Sequence, residues 1–126
     1  MKKTLLVVDD ELSIRLLLEH FLGEEYNVVT KEDGKTAYDW LEKGNHTDLI
    51  LADLEMPLID GFELLVKLRD NKLTQSIPCM VVTGKTKTDN YMKSFRLGAM
   101  DFLQKPFTPE EIKNRVETIL REKNIL

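Results

Sequence analysis

The feature that most constrains the fold of this 126-residue chain is a regular alternation between short strand-like runs and longer helical patterns. The predicted strands are residues 5–8, 26–30, 48–52, 78–82 and 101–104. Apolar residues with a helical period follow each run. Strands that alternate with helices favour a parallel sheet covered on both faces. The predicted fold class is therefore α/β, a doubly wound parallel sheet of five strands with five helices.

Capping residues indicate where the predicted helices begin and end. The predicted N-caps are Asp33 and Asp60, and the predicted stops are the glycines Gly23, Gly44 and Gly98. The segment from Thr108 to Glu111 combines an N-cap, a proline at the first helical position and an acid three residues after the cap. This segment predicts the start of the last helix.

Size and composition predict one domain that spans residues 1–126. Apolar residues make up 42% of the chain and charged residues 32%, and the longest apolar run is far below the ~20 residues that cross a bilayer. The N-terminus lacks a secretion cleavage site, and a single cysteine, Cys79, allows no internal disulfide. We therefore expect a cytoplasmic protein without membrane contact. The net charge of −4 comes with no basic block, which argues against direct nucleic-acid binding by this chain.

Polar side chains follow four of the predicted strands. Asp9 and Asp10 follow the first strand, Asp53 the third, Thr83 the fourth and Lys105 the fifth. Ligands of doubly wound sheets bind beyond the carboxyl ends of the strands, so these side chains are expected to converge. Clustered acids repel unless a cation neutralises them, and oxygen ligands suit Mg²⁺. A lysine and a hydroxyl can donate to phosphoryl oxygens, so the pattern predicts Mg²⁺-assisted phosphoryl transfer to a carboxylate.

Four segments together resemble the receiver domain of bacterial two-component response regulators, of the single-domain chemotaxis-like type. They are Val7–Glu11, Asp53–Pro57 with Asp60-Gly61, Val82–Gly84 and Gly98–Phe107. The segments occur in the family's order and at its spacing, and the resemblance covers essentially the whole chain. It implies a flavodoxin-like fold with strand order 2-1-3-4-5.

The resemblance implies a phosphoacceptor and a metal site. Asp53 would be the phosphoacceptor, whose carboxylate becomes an acyl phosphate. Asp10, Asp53 and the backbone carbonyl of Glu55 would bind Mg²⁺ directly, and Asp9 would act mainly through a metal-bound water.

The resemblance also implies roles for residues around the phosphoryl group. Lys105 would pair with the acceptor before reaction and with a phosphoryl oxygen afterwards, while the hydroxyl of Thr83 and the amide of Gly84 would contact other phosphoryl oxygens. The bond before Pro106 is expected to be cis, an isomer essentially confined to proline. Phe102 would be the switch residue, at a position where tyrosine is commoner, and we expect its ring to lean inward even before phosphorylation.

The same resemblance implies partners. The phosphoryl donor would be a sensor histidine kinase or a histidine phosphotransfer domain. The output surface would be the fourth helix, fifth strand and fifth helix, acting on a downstream protein or on an effector domain beyond Leu126. The chain would be a monomer or a phosphorylation-dependent dimer, with no catalysis beyond Mg²⁺-dependent self-phosphorylation from a phosphodonor and autodephosphorylation.

Three other interpretations remain open from the sequence. Asp9 and Asp10 are also suited to cap the first helix. A phosphohydrolase of the haloacid-dehalogenase type shares the nucleophile, metal, hydroxyl and lysine, but needs a second aspartate where Glu55 stands. A third possibility is a receiver-like scaffold that has lost phosphorylation.

Overall fold

Strands and helices alternate throughout residues 2–126, the part of the chain that the computed structural model describes. The strands are β1 (Thr4–Val8), β2 (Asn27–Lys31), β3 (Leu49–Ala52), β4 (Cys79–Thr83) and β5 (Asp101–Gln104). The helices are α1 (Leu12–Leu22), α2 (Gly34–Glu42), α3 (Gly61–Asp70), α4 (Thr88–Arg96) and α5 (Pro109–Glu122). All the predicted strands are confirmed, with no end shifted by more than one residue, and a helix follows each strand as predicted.

The five strands form one parallel sheet in the order β2-β1-β3-β4-β5, as the family resemblance implies. Alternate residues of each strand enter separate cores on the two faces. On one face, Leu5 and Val7 of β1 pack with apolar residues of α1 and α5. On the other face, Leu6 and Val8 pack with α2 and α3. The predicted doubly wound α/β fold is confirmed.

The predicted helix caps are present as hydrogen bonds. The carboxylate of Asp33 accepts from the Thr36 amide at 2.7 Å, and Asp60 accepts from the Glu63 amide at 2.9 Å. Thr108 forms a complete capping box. Its side chain accepts from the Glu111 amide, and the Glu111 side chain accepts from the Thr108 amide.

Helix α1 shows that the capping interpretation of Asp9 and Asp10 is wrong. Its N-cap is Glu11, and no side chain caps the helix. Asp9 instead accepts from the Glu11 amide at 2.9 Å, outside the helix. The two acids that follow β1 are therefore available for another purpose.

Gly61 holds the start of α3 directly against the segment that follows β3. A Cβ atom at Gly61 would lie 2.3 Å from the backbone oxygen of Asp53 and 2.8 Å from the Cα of Leu54. Only glycine allows this close approach, which places the Asp53 segment between the sheet and the first turn of α3.

Candidate functional site

The five predicted site side chains lie together at the carboxyl-terminal edge of the sheet. Most of them line one cavity of about 380 Å³. Its lining residues are Asp10, Glu11, Asp53, Glu55, Thr83, Gly84, Lys85 and Lys105. Asp9 is buried beneath the cavity and contacts Lys105.

Asp53 is buried, with only 6% of its side chain exposed, and donors surround both of its oxygens. Oδ1 accepts from the Thr83 hydroxyl at 2.6 Å, from the Leu54 amide at 2.7 Å and from the Glu55 amide at 3.4 Å. Oδ2 accepts from Nζ of Lys105 at 3.1 Å. These amides, the hydroxyl and the ammonium group fix the orientation of the Asp53 carboxylate at the edge of the sheet.

Lys105 is the cation shared by the buried acids. Its Nζ donates to Asp9 at 2.7 Å and to Asp53 at 3.1 Å, and it lies 3.5 Å from the carboxylate of Glu11. Burial disfavours the ammonium form, but the hydrogen bonds to the two aspartates outweigh that effect and raise the pKa of Lys105. The peptide bond that joins Lys105 to Pro106 is cis.

In Asp9, the effect of burial on the pKa outweighs the effect of the hydrogen bonds. Burial raises its pKa above the ordinary value of 3.8, despite hydrogen bonds from Lys105 and from the Glu11 amide. The nearby charge of Asp53 adds to this increase. Ionised Asp9 is therefore costly in the folded protein, and a second positive charge beside it would be favourable.

Asp9, Asp10 and Asp53 form an acidic cluster that could hold a metal ion. Their nearest carboxylate oxygens lie within 4.8 Å of one another. Two of the acids are buried and Asp10 is exposed, so the cluster opens to solvent on one side. An open site with only oxygen donors fits a hard cation that keeps part of its water shell, as Mg²⁺ does.

Comparison with known proteins decides the family. The response regulator receiver domain family matches residues 5–117. This chain belongs to the receiver domain family. Receiver domains are the phosphorylation-dependent signalling domains of two-component systems, so the predicted function class is confirmed.

Individual relatives agree with this assignment. The alkaline phosphatase synthesis transcriptional regulatory protein PhoP of Bacillus subtilis is 40% identical over 99% of this chain and 51% of its own length. The transcriptional regulatory protein SrrA of Staphylococcus aureus is 37% identical over 96% of this chain and 49% of its own length. This receiver thus spans about half the length of these curated relatives. The solved chemotaxis protein CheY4 of Vibrio cholerae superposes with a TM-score of 0.89 at 30% identity, covering 95% of this chain and 100% of CheY4.

One ion pair of the receiver's site was not predicted from the sequence. Nζ of Lys85, after β4, lies 2.7 Å from the carboxylate of Glu55, after β3. The amide of Lys85 also donates to the Thr83 hydroxyl at 3.2 Å. The sequence offered one signal for this ion pair. Glu55 stands two residues after Asp53, Lys85 stands two residues after Thr83, and the two side chains carry opposite charges.

Phe102 of the receiver lies on β5 and does not line the cavity that Asp53 lines, and it is half-buried. Its ring meets the ring of Tyr91 on α4 edge-to-face, with centroids 5.3 Å apart. Both rings line a groove between α4 and α5. Among the helices of residues 2–126, none is long and apolar enough to cross a membrane.

Proposed function

We propose that this receiver takes a phosphoryl group from a phosphohistidine onto the carboxylate of Asp53. The observation that carries the proposal is the environment of Asp53, a buried acid held between Lys105 and the hydroxyl of Thr83 at the open edge of the sheet. Phosphoryl transfer depends chiefly on positioning and on charge stabilisation, which these neighbours supply.

The transfer exchanges one bond to phosphorus for another. A carboxylate oxygen of Asp53 bonds to phosphorus as the nitrogen–phosphorus bond of the donor breaks, and its electron pair remains on the imidazole. Lys105, the Thr83 hydroxyl and the Gly84 amide then donate to the phosphoryl oxygens. Thr83 ends β4, Gly84 directly follows it and Lys105 directly follows β5, so none of these donors needs a long displacement.

The acidic cluster is the proposed Mg²⁺ site. Asp10, Asp53 and the backbone carbonyl of Glu55 would bind the ion directly, and buried Asp9 would act through a metal-bound water. When bound, Mg²⁺ draws charge from the phosphoryl oxygens. The carboxylates orient it, and their mutual repulsion falls when it binds.

The partners follow from this chemistry. The donor is a sensor histidine kinase or a histidine phosphotransfer domain, and the output surface is α4, β5 and α5. We propose that residues 1–126 act as one receiver domain, as a monomer or a phosphorylation-dependent dimer, on a downstream protein or an effector domain. Its own catalysis is limited to Mg²⁺-dependent self-phosphorylation from a phosphodonor and autodephosphorylation.

Intact-mass spectrometry with acetyl phosphate as the donor tests the acceptor assignment. Wild-type protein with Mg²⁺ is expected to gain one phosphoryl group, and Asp53→Asn none. Removal of Mg²⁺ with EDTA, or the change Asp10→Asn, is expected to slow labelling by at least about tenfold. Labelling of Asp53→Asn to the wild-type extent would refute the assignment, and labelling that ignores EDTA would refute the metal site.

A further inference from the structure

Asp10 differs from the other two acids of the acidic cluster in how the protein holds it. Asp9 and Asp53 are buried, and both accept from Nζ of Lys105. Asp10 is exposed, and its carboxylate forms no hydrogen bond or ion pair within residues 2–126. The position of the Asp10 side chain therefore depends on the two peptide groups that flank it.

Arg15 holds the peptide group that precedes Asp10. Its Nη1 donates to the backbone oxygen of Asp9 at 2.7 Å. That oxygen belongs to the planar peptide group that joins Asp9 to Asp10, so the hydrogen bond fixes the orientation of this plane. Arg15 is the fourth residue of α1 and is half-buried. Its side chain thus reaches back from the helix and closes the turn that carries Asp10.

Asp9 holds the peptide group that follows Asp10, because its Oδ1 accepts from the Glu11 amide at 2.9 Å. Asp9 is itself anchored at its other polar groups. Its amide donates to the backbone oxygen of the last residue of β2 at 3.1 Å, and its Oδ2 accepts from Lys105 at 2.7 Å. The backbone oxygen of Asp9 is the remaining acceptor, and Arg15 is the donor that satisfies it.

We propose that Arg15 is a positioning residue for the metal site, whose hydrogen bond to the Asp9 carbonyl orients the carboxylate of Asp10 towards the cavity that contains Asp53. This inference rests on the proposed function, since Asp10 is a ligand of the proposed Mg²⁺ site. Without Arg15, the Asp9 carbonyl would accept from water, and the peptide group before Asp10 could rotate. Loss of a residue that orients a metal ligand typically weakens metal binding by about 10- to 100-fold.

The charge of Arg15 and its hydrogen bond affect Mg²⁺ binding in opposite directions. A guanidinium group beside the acidic cluster repels a metal cation, so removal of the charge alone should strengthen Mg²⁺ binding. Loss of the restraint on Asp10 should weaken it. The sign of the change in Mg²⁺ affinity therefore distinguishes a positioning role from a purely electrostatic one.

Isothermal titration calorimetry of the unphosphorylated protein measures Mg²⁺ affinity without a phosphoryl donor. Arg15→Met removes the hydrogen-bond donor and is expected to bind Mg²⁺ about tenfold more weakly than wild type. Arg15→Lys keeps a donor on a stem of similar length and should recover most of the affinity. Lys31→Met is the matched charge control, since it removes a cation from the same edge of the sheet whose ammonium group lies over the Trp40 ring. It should bind Mg²⁺ at least as tightly as wild type.

Labelling with acetyl phosphate supplies a readout that a merely structural role would not move. In Arg15→Met, the Mg²⁺ concentration that gives half the maximal rate should rise about tenfold. The rate at saturating Mg²⁺ should stay close to that of wild type, because Arg15 does not contact Asp53. An unchanged or tighter Mg²⁺ affinity in Arg15→Met, or a slow rate that saturating Mg²⁺ does not restore, would each overturn the positioning role.

Hydrogen exchange of the Glu11 amide separates this inference from the proposed function, because it needs neither metal nor phosphorylation. This amide donates to Asp9 within the same turn, and in EDTA it is expected to exchange faster in Arg15→Met than in Arg15→Lys. Equal exchange in the two variants would overturn the positioning role even if wild type binds Mg²⁺. Failure of wild type to bind Mg²⁺, with the exchange difference intact, would refute the proposed metal site and leave the restraint by Arg15 standing. Thermal melting of each variant checks that it is folded.

Discussion

Asp9 and Asp53 show how the surroundings of single residues produce the receiver's chemistry. Both carboxylates are buried, and two such charges side by side are costly unless a cation lies between them. Lys105 is that cation, and its contacts with both acids leave the exposed Asp10 as the acid most open to solvent. The site therefore has one resident positive charge and room for a second.

Asp48 lies at the opposite end of the sheet, where it joins the starts of β1 and β3. Its Oδ2 accepts from the Thr4 amide at 2.8 Å, and its Oδ1 lies 3.0 Å from Nε2 of His46. Burial opposes ionisation of Asp48, but the Thr4 amide and His46 outweigh it and lower its pKa below 3.8. A carboxyl whose pKa falls on folding stabilises the protein above its unfolded pKa, and this contribution is lost as pH falls through the folded pKa.

We expect Asp48→Asn to lower the free energy of unfolding by about 1 kcal/mol at neutral pH. The difference from wild type should shrink as pH falls below about 3.8, because wild-type Asp48 then loses its charge. Urea titrations at neutral pH and near pH 3 measure this change. The exposed acid Asp70 provides a control, since Asp70→Asn should alter stability by less than about 0.5 kcal/mol. A pH-independent difference for Asp48→Asn would contradict the argument.

At the scale of elements, local signals in the sequence predicted the helices well. The caps Asp33, Asp60 and Thr108 form the expected bonds because an N-cap needs only its own first turn. Contacts between distant segments could not be read in the same way. Arg69 at the end of α3 donates to the backbone oxygen of Gly98, which follows α4, and this contact depends on how the two helices pack.

Helix α4 buries little and lacks a side-chain cap, so the contact of Arg69 with the turn after it gains weight. Its only buried residue is Ser94, and its N-cap makes no side-chain hydrogen bond. Arg69 joins the turn after α4 to the segment after α3, because it donates to the carbonyl oxygens of Gly98 and Gln75. Gly98 has a φ of 108°, and a Cβ there would lie 2.1 Å from Nε of Arg69. A side chain at this position would therefore meet a strained backbone and would have to displace the Arg69 guanidinium.

Gly98→Ala is expected to destabilise the protein by at least about 1 kcal/mol more than Gly44→Ala, because it must also displace the Arg69 guanidinium. Gly44 is a matched control, since its φ is 96° but a Cβ there would meet nothing within 4 Å. Its change to alanine should cost only the backbone penalty of about 1–2 kcal/mol. Urea denaturation measures both variants.

A double-mutant cycle with Arg69→Ala tests the cause of the extra cost. Without the guanidinium, Gly98→Ala should cost about as much as Gly44→Ala, because only the backbone penalty remains. Equal costs for the two glycine variants in the wild-type background would show that Arg69 moves aside freely.

At the scale of the whole molecule, topology explains why the site was predictable from the sequence. Parallel strands bring their carboxyl ends to one edge of the sheet, so residues 96 positions apart, Asp9 and Lys105, form a hydrogen bond. The ion pair between Glu55 and Lys85 was not predictable, because it joins exposed side chains of two loops. Loop conformation and side-chain rotamers determine such contacts, and neither has a periodic signal.

The same topology places β4 between β3, which precedes the proposed acceptor, and β5 of the proposed output surface. Thr83 ends β4, and Phe102 lies on neighbouring β5 with its half-buried ring against Tyr91 of α4. A phosphoryl group on Asp53 would draw the Thr83 hydroxyl and the following loop towards it. Space behind Thr83 would then admit more of the Phe102 ring, and full burial of such a ring gains about 1.5–3 kcal/mol.

We therefore expect beryllofluoride with Mg²⁺, which mimics the phosphoryl group, to move the Phe102 ring inward and to shift α4. NMR of the Phe102 and Tyr91 rings measures this response, with His46 at the far end of the sheet as an internal reference that should not move. Asp53→Asn should abolish the response because it cannot bind the mimic. Thr83→Ala should bind the mimic yet leave the ring of Phe102 in place, because the hydroxyl that transmits the charge is absent. A Phe102 signal that shifts equally in wild type and Thr83→Ala would show that the signal reaches α4 by a route other than Thr83.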